Sequence, residues 1–428
     1  MSQVVKSLVV LLLAASAVAL PAVAEPEPGP AAAVDQPAVA YCPIEEGSGR
    51  ATAVNVASTT SGPMALATFA SGAVTGSVET EIGASGGASV AIGDVAAFGT
   101  AGSVLDLPSS DATAVSVIAG STSISAETCP VAPGRHSILG GGSTLSGQSF
   151  LLQLMNPYAG EAIADLVIES DAGLESNPEL ENVIVPARSS AIVDLAELLP
   201  GRAWLNVVIE VKQGGAIAVG RLAIDDDEAI WNAAVPAQDW FITVPHGLES
   251  HQVVIAADNS PVEYQIDVYT PDGLEEARGA GEIDARGRAT FDIGEVTPVA
   301  SAVRVVSTNP VSVFLRVRSA SGLAMTGGAA TPSSVWLLPG AGSIAGATGS
   351  MIVLNPGLED VNATVLPFRD GGTPADVLVP AGEVVEVAVP AEPAQGYAVT
   401  GDGDLVTGWS LVRGGSFALG GGTAIGDD

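Results

Sequence analysis

A pattern of about 95 residues recurs along this 428-residue chain, and repetition of that length constrains the fold more than any single residue does. Trp336-Leu337-Leu338-Pro339 precedes the apolar run Met351 to Leu354 and the turn Asn355-Pro356-Gly357. Trp240-Phe241-Ile242 precedes the run Val253 to Ala256 and the turn Asn259-Ser260-Pro261. The two Trp residues lie 96 positions apart, and so do the two Asn residues. A third copy begins near Arg135 and carries Phe150 to Leu154 before Asn156-Pro157. A more degenerate copy begins at Tyr41-Cys42-Pro43 and carries Ala53 to Ala57 before Ser58. Each copy then shows a second mark: Ile82-Gly83-Ala84, Val185-Pro186-Ala187, Ile283-Asp284-Ala285 and Val379-Pro380-Ala381. Counted from Ser58, Asn259 and Asn355, the Ala of this mark is 26 residues on; from Asn156 it is 31, which puts extra residues in the loop Asp171 to Glu181.

Within the copies, apolar residues alternate with polar ones. Leu205, Val207, Ile209 and Val211 share one face, with Asn206, Glu210 and Lys212 on the other. Val313, Leu315 and Val317 alternate with Phe314, Arg316 and Arg318; Tyr264, Ile266 and Val268 with Gln265, Asp267 and Tyr269; Val385, Val387 and Val389 with Glu386 and Ala388. Period-two alternation is the mark of strands with one face on a core and one in water. No window sustains a helical period, and Ala196 to Leu199 forms a helical turn at most. Asp272-Gly273, Asn309-Pro310, Asn355-Pro356-Gly357, Asp370-Gly371-Gly372 and Gly401-Asp402-Gly403-Asp404 read as turns between short strands. The expected fold is all-β: a tandem array of four Ig-like or fibronectin-III-like antiparallel β-sandwich units, at 41–134, 135–239, 240–334 and 335–428.

The first 24 residues read as a secretory signal peptide, with Lys6, the apolar stretch Leu8 to Leu20 and the small-residue site Ala22-Val23-Ala24. Residues 25–40, rich in Pro and Ala, read as an extended leader. No second hydrophobic span follows, so a freely exported, secreted or envelope-associated protein with no membrane span after leader removal is expected. The only cysteines, Cys42 and Cys129, fit one disulfide tying the first strand of the first unit to its last; two inert buried thiols are the alternative.

A net charge of −33 sets the chain against nucleic acid and anionic membrane surfaces, and serves solubility in a chain that is 47% hydrophobic. The third unit holds six of the thirteen arginines: Arg278, Arg286, Arg288, Arg304, Arg316 and Arg318. They form either an anion-facing patch or cross-strand pairs with carboxylates such as Glu263 or Asp267. Trp240 and Trp336, at one position in two units, read as core or interdomain plugs in preference to sugar platforms.

Motifs for chemistry are weak. Gly83-Ala84-Ser85-Gly86-Gly87 matches G-x-S-x-G in letters only, because that motif acts on a strand-to-helix elbow. His136, His246 and His251 do not recur between copies, and His246 and His251, which flank Glu249, read as surface groups. Asp225-Asp226-Asp227-Glu228 and Gly401-Asp402-Gly403-Asp404 offer clustered oxygens for weak calcium binding or, more simply, solvated turns. Asn362-Ala363-Thr364 is a lone glycosylation sequon. With two cysteines and three histidines there is no zinc constellation, and no catalytic, cofactor-binding or metal residue is assigned.

A Cys-Pro start, Trp openings, Asn-Pro-Gly turns and Val-Pro-Ala marks together resemble a family of large secreted actinobacterial proteins of unknown function built from β-sandwich repeats. The resemblance spans the mature chain and implies a secreted or envelope role, with no catalytic residue to carry over. The resulting expectation is a non-enzymatic, monomeric scaffold or interaction protein whose partner is an envelope protein or polysaccharide. Binding of an envelope polysaccharide or polyanion by the third unit is the alternative, and a hydrolase using an inter-unit cleft the third possibility.

Overall fold

A computed structural model describes residues 39–43, 51–95, 101–120, 123–131, 134–225, 227–247, 250–293, 299–319, 322–369, 372–389 and 394–425. The expected signal peptide, most of the expected leader, Asp226, and Asp370 and Gly371 of one expected turn lie outside the described residues. The protein is all-β, with antiparallel strands throughout and, among the described residues, short helical turns at Ile92–Asp94, Pro178–Leu180 and Leu195–Leu198, the last capped by the Asp194 carboxylate on the Ala196 and Glu197 amides.

Every hydrogen-bonded strand pair among the described residues stays within one of four consecutive stretches. The first holds β1 (Val39–Cys42), β2 (Ala51–Ser58), β3 (Gly62–Ala70), β4 (Ala73–Ile82), β5 (Gly86–Ala91), β6 (Gly102–Asp106), β7 (Ala112–Ala119) and β8 (Ile124–Thr128). They form sheets β1-β6-β3-β4 and β5-β2-β7-β8. Met64, Leu66 and Leu105 of one sheet meet Val54, Val56 and Ala114 of the other, the inward halves of alternating strands. The disulfide Cys42–Cys129 joins the end of β1 to the residue after β8, with the Cα atoms 4.6 Å apart.

The second stretch holds β9 (His136–Gly142), β10 (Gln148–Asn156), β11 (Ala162–Ser170), β12 (Gly173–Leu174), β13 (Val183–Val185), β14 (Ser189–Asp194), β15 (Leu205–Gln213), β16 (Ile217–Ile224) and β17 (Asp227–Asn232). The third holds β18 (Ala237–Val244), β19 (Ser250–Ala257), β20 (Val262–Thr270), β21 (Gly273–Ile283), β22 (Arg288–Asp292), β23 (Ser301–Ser319) and β24 (Gly322–Gly327). The fourth holds β25 (Ser333–Pro339), β26 (Thr348–Leu354), β27 (Val361–Pro367), β28 (Ala375–Val379), β29 (Val384–Val389), β30 (Gly396–Arg413), β31 (Ser416–Gly421) and β32 (Thr423–Ile425).

Two expected turns are absent. Asn309-Pro310 lies inside β23, and Gly401-Asp402-Gly403-Asp404 inside β30. Each of these long strands changes partner strands at that point. The first half of β23 pairs β18 and β20, the second half β19 and β24. β30 pairs β25 and β27, then β26 and β31. Turn-forming residues here bend a strand without ending it.

The shared marks have a common backbone cause. The residue after each marked Ala has a positive φ: Ser85 48°, Arg188 46°, Arg286 61° and Gly382 70°. The next residue pairs with the end of the preceding strand, at Ser58, Asn156, Ala257 and Asn355. The counterpart of Asn355 in the third stretch is therefore Ala257, and the sequence-based match to Asn259 is two residues out. Asn156 and Asn355 accept an amide two residues on, at 3.0 and 2.9 Å, and donate to carbonyls across the loop. Ser58 makes the same i+2 bond to Thr60 through its hydroxyl, and Ala257 has no side chain to do so.

The stretches do not trail off in a line. β8 packs on β17 and on β31, β17 on β24, and β24 on β31, which closes a cycle of one strand from each stretch. Each seam is apolar. Tyr41, Phe69 and Ile118 meet Met155, Ile217 and Ile230 between the first and second stretches. Phe314, Leu323 and Met325 of the third enter the core around Trp231 of the second. Phe417 and Leu419 of the fourth enter the core of the third. Val115, Val117 and Ile124 of the first join the core of the fourth, and Ala57 meets Leu337 and Phe368. Small residues permit this closeness: a Cβ on Gly102 would strike Met155, and one on Gly322 would strike Phe417.

Candidate functional site

Two cavities of ligand size lie at seams among the described residues. The larger, about 590 Å³, opens between the first and fourth stretches. From the first come Asn55 and the loop Gly83 to Gly87; from the fourth, Ser343, Phe368, Arg369 and Gln395. Asn55 sits on β2 with its neighbours Val54 and Val56 in the sandwich core, so its own side chain points to the opposite face, toward the fourth stretch. It is 1% exposed, yet neither its Nδ2 nor its Oδ1 has a hydrogen-bond partner, and the Ser343 hydroxyl is also unpartnered. Burying a carboxamide without partners is costly, and a ligand that offers one donor and one acceptor would repay it.

The smaller cavity, about 370 Å³, is lined by all four stretches at one end of the closed strand cycle. Glu127 and Thr128 end β8, Asn232 ends β17, Thr326 and Gly327 end β24, and Thr407 lies on β30. Phe241, Trp336 and Val406 add apolar wall. Asn232 Nδ2 donates to Glu127 Oε1 at 2.8 Å and to the Thr128 carbonyl at 2.5 Å. Burial pushes the Glu127 carboxyl well above the ordinary range, against the pull of the Asn232 hydrogen bonds.

The residues singled out from the sequence are dispersed. Ser85 does line the larger cavity, but strand β5 follows it directly, so there is no nucleophile elbow. His136 Nε2 meets Asp258 at 2.9 Å, across the second and third stretches, and His246 Nδ1 meets Glu386 at 2.8 Å, across the third and fourth. His251 is buried in β19, and desolvation lowers its pKa. Neither cavity is lined by a histidine. Of the acidic run, Glu228 pairs Arg221 at 3.0 Å and Asp225 approaches Arg318 at 4.0 Å. Asp402 accepts from the Asn362 amide and side chain at 2.8 and 3.0 Å, which also occupies the sequon asparagine. Among the described residues no three His, Cys, Asp or Glu side chains are placed to hold a metal ion.

The third-stretch arginines take other partners than Glu263 and Asp267. Arg304 makes a two-pronged bond to Asp239, at 2.9 and 2.6 Å, which raises its pKa. Arg278 pairs Glu275 at 3.0 Å and Arg286 approaches Glu169 at 3.9 Å, while Asp267 is taken by Gln265 and the Ala277 amide. Arg288 and Arg316 form no ion pair among the described residues; Arg288 lies 5.6 Å over the Trp204 ring, and burial with the nearby Arg316 charge pushes it down to about 10. Trp240 and Trp336 are 4% and 1% exposed. Each indole N–H donates to the carbonyl three residues before it and to the long strand, Val311 or Leu405, so both are core plugs.

Asn55, Glu127, Asn232 and Thr407 were not singled out from the sequence. The signal available was a polar residue inside an apolar run, as in Val54-Asn55-Val56. A buried polar position is the informative exception to inward apolar packing.

The model of a family of unknown function, DUF5719, matches residues 99–390, and the chain belongs to that family. Among solved structures the chain is similar to the tetra-tandem repeat in the extending region of a large adhesion protein, at 12% identity over 86% of this chain and 92% of that one. The TM-score is 0.10, so the likeness carries no weight for fold or role. Comparison with curated proteins gave no match. Among the described residues no helix is long and apolar enough to cross a membrane.

Proposed function

We propose that this DUF5719 chain is a non-enzymatic, exported interaction protein of the cell envelope, monomeric, with four β-sandwich units at 41–134, 135–239, 240–334 and 335–428 closed into one rigid body. The observation that carries the reading is the cleft at Asn55. Its carboxamide presents an unpartnered donor beside an unpartnered acceptor, the pattern that a peptide group of a partner protein would complete. Apolar contacts between the first and fourth stretches support the two walls of the cleft, and preorganisation of this kind lowers the entropy lost on binding. The test is retention of the purified mature chain on its own envelope fraction. Wild type is expected to capture a protein partner and Asn55→Leu to lose it. A hydrolase or transferase activity abolished by one point substitution refutes the proposal.

A second reading, binding of an envelope polyanion by the third unit, is favoured by Arg288 and Arg316. Arg316 repels Arg288, Asp171 attracts it more weakly, and neither guanidinium forms an ion pair among the described residues. Retention on anionic glycan at low salt, lost in Arg288→Gln with Arg316→Gln, supports it; no retention at low salt removes it.

A further inference from the structure

We propose that the cavity lined by all four stretches binds a primary ammonium group carried on a small alkyl or aromatic body, held by Glu127, Asn232 and Thr407. Three residues lining this 370 Å³ space carry an oxygen without a hydrogen-bond partner: Glu127 Oε2, Asn232 Oδ1 and Thr407 Oγ1. Glu127 and Thr407 are 6% and 3% exposed, so water does not satisfy them freely. The unmet groups are all oxygens, and the Asn232 amide is already spent on Glu127 and Thr128, which fixes its oxygen as the free end. An R–NH3+ group brings three N–H donors to three acceptors, and its charge complements the carboxylate. The body of the ligand would rest on Phe241, Trp336 and Val406, and the volume falls in the range of small-molecule sites.

The proton balance gives the site a signature. In the free protein burial favours neutral Glu127; beside an ammonium the carboxylate is favoured. Binding therefore breaks the Glu127 O–H bond and releases one proton to solvent, while the ligand keeps all three of its own. The strands packed on β8 add few competing charges: β17 brings Asp227 and Glu228, with Glu228 held by Arg221 at 3.0 Å, and β7 and β31 carry no ionisable residue. The inference stands apart from the Asn55 cleft, which is on a different seam, so either can fail alone.

The experiment is calorimetric titration of the full mature chain with n-butylammonium at neutral pH and constant ionic strength, in two buffers of different ionisation enthalpy. One ligand per chain and release of about one proton are expected. Loss of one charge-assisted bond weakens binding about tenfold or more, the result expected for Glu127→Gln, with a smaller loss for Thr407→Val. Should Glu127→Gln fail to fold, Thr407→Val and the wild-type proton count decide. Tetramethylammonium, which has no N–H, is expected not to bind. Equal binding of tetramethylammonium, preference for calcium or sodium ions, absence of proton release, or no binding of any probe each overturns the assignment.

Discussion

Replacing Glu127 by Gln should stabilise the ligand-free protein at neutral pH and leave it nearly unchanged in acid. The carboxyl is 6% exposed and burial raises its pKa well above the ordinary value of about 4.3. The native state therefore holds a proton that the unfolded chain gives up. With the folded pKa raised, Glu127's contribution is fully present below the unfolded pKa and is lost progressively as pH climbs toward the folded one. At pH 7 the wild type should therefore trail the variant, and the gap should close as the pH falls. Gln keeps an oxygen for the Asn232 Nδ2 bond, now 2.8 Å, and stays neutral at every pH. The assay is urea denaturation of both chains at pH 4 and pH 7, read as the difference between them so that the other carboxylates cancel. A difference independent of pH, or a variant less stable at pH 7, would refute the account of Glu127 as a carboxyl held neutral by burial.

Cys42→Ser with Cys129→Ser should cost about 4–5 kcal/mol on the chain-entropy account of a loop spanning 87 positions, seen as a lowered urea midpoint; a loss under about 1 kcal/mol rejects it. Phe417→Ala should cost about 3–5 kcal/mol and expose the third–fourth seam to limited proteolysis, because this fully buried ring from β31 packs into the third-stretch core over Gly322. A double-mutant cycle on Arg304 and Asp239 should return only about 0.5–1 kcal/mol, falling in high salt, since both side chains are more than a third exposed; coupling that ignores salt contradicts a solvent-screened pair.

The all-β fold and most strand faces were legible because both are local properties of the chain. Alternation in 205–211 and 313–317 requires only that neighbouring side chains point opposite ways, and Val207, Ile209, Val313 and Leu315 are buried as expected; the expected water-facing side is not, because Asn206 and Phe314 on the opposite faces are buried too, where the second and third stretches meet. The Cys42–Cys129 bond was legible by elimination, there being no other cysteine. Asn309-Pro310 and Gly401 to Asp404 misled because turn propensity is also bend propensity. A strand passing between two packed sheets must bend sharply while still pairing on both sides, and Gly or Pro allows it. The two-residue slip at Asn259 has a similar origin: the repeated feature is a backbone turn, and Ala257 occupies its Asn position without leaving the side chain that marks it elsewhere.

The candidate sites were hidden for a different reason. They belong to the seams and not to any one stretch. Thr113 meets Thr423, and Arg413 donates to Gly120, contacts whose partners lie 310 and 293 positions apart. No periodicity within a stretch encodes such a meeting. Asn55 is partnerless only because the fourth stretch covers it, and Glu127 is desolvated only because β17 and β31 close around β8. An isolated first unit would expose both side chains to water, which would satisfy them and leave ordinary surface residues. The polar groups with unmet hydrogen bonds are thus products of closure. Substitutions that open a seam, such as Phe417→Ala, should therefore weaken ligand binding in the four-stretch cavity even though Phe417 does not line it. Unchanged ammonium affinity in a proteolytically loosened Phe417→Ala protein would show that the site does not depend on the third–fourth seam, and the argument from closure would fail.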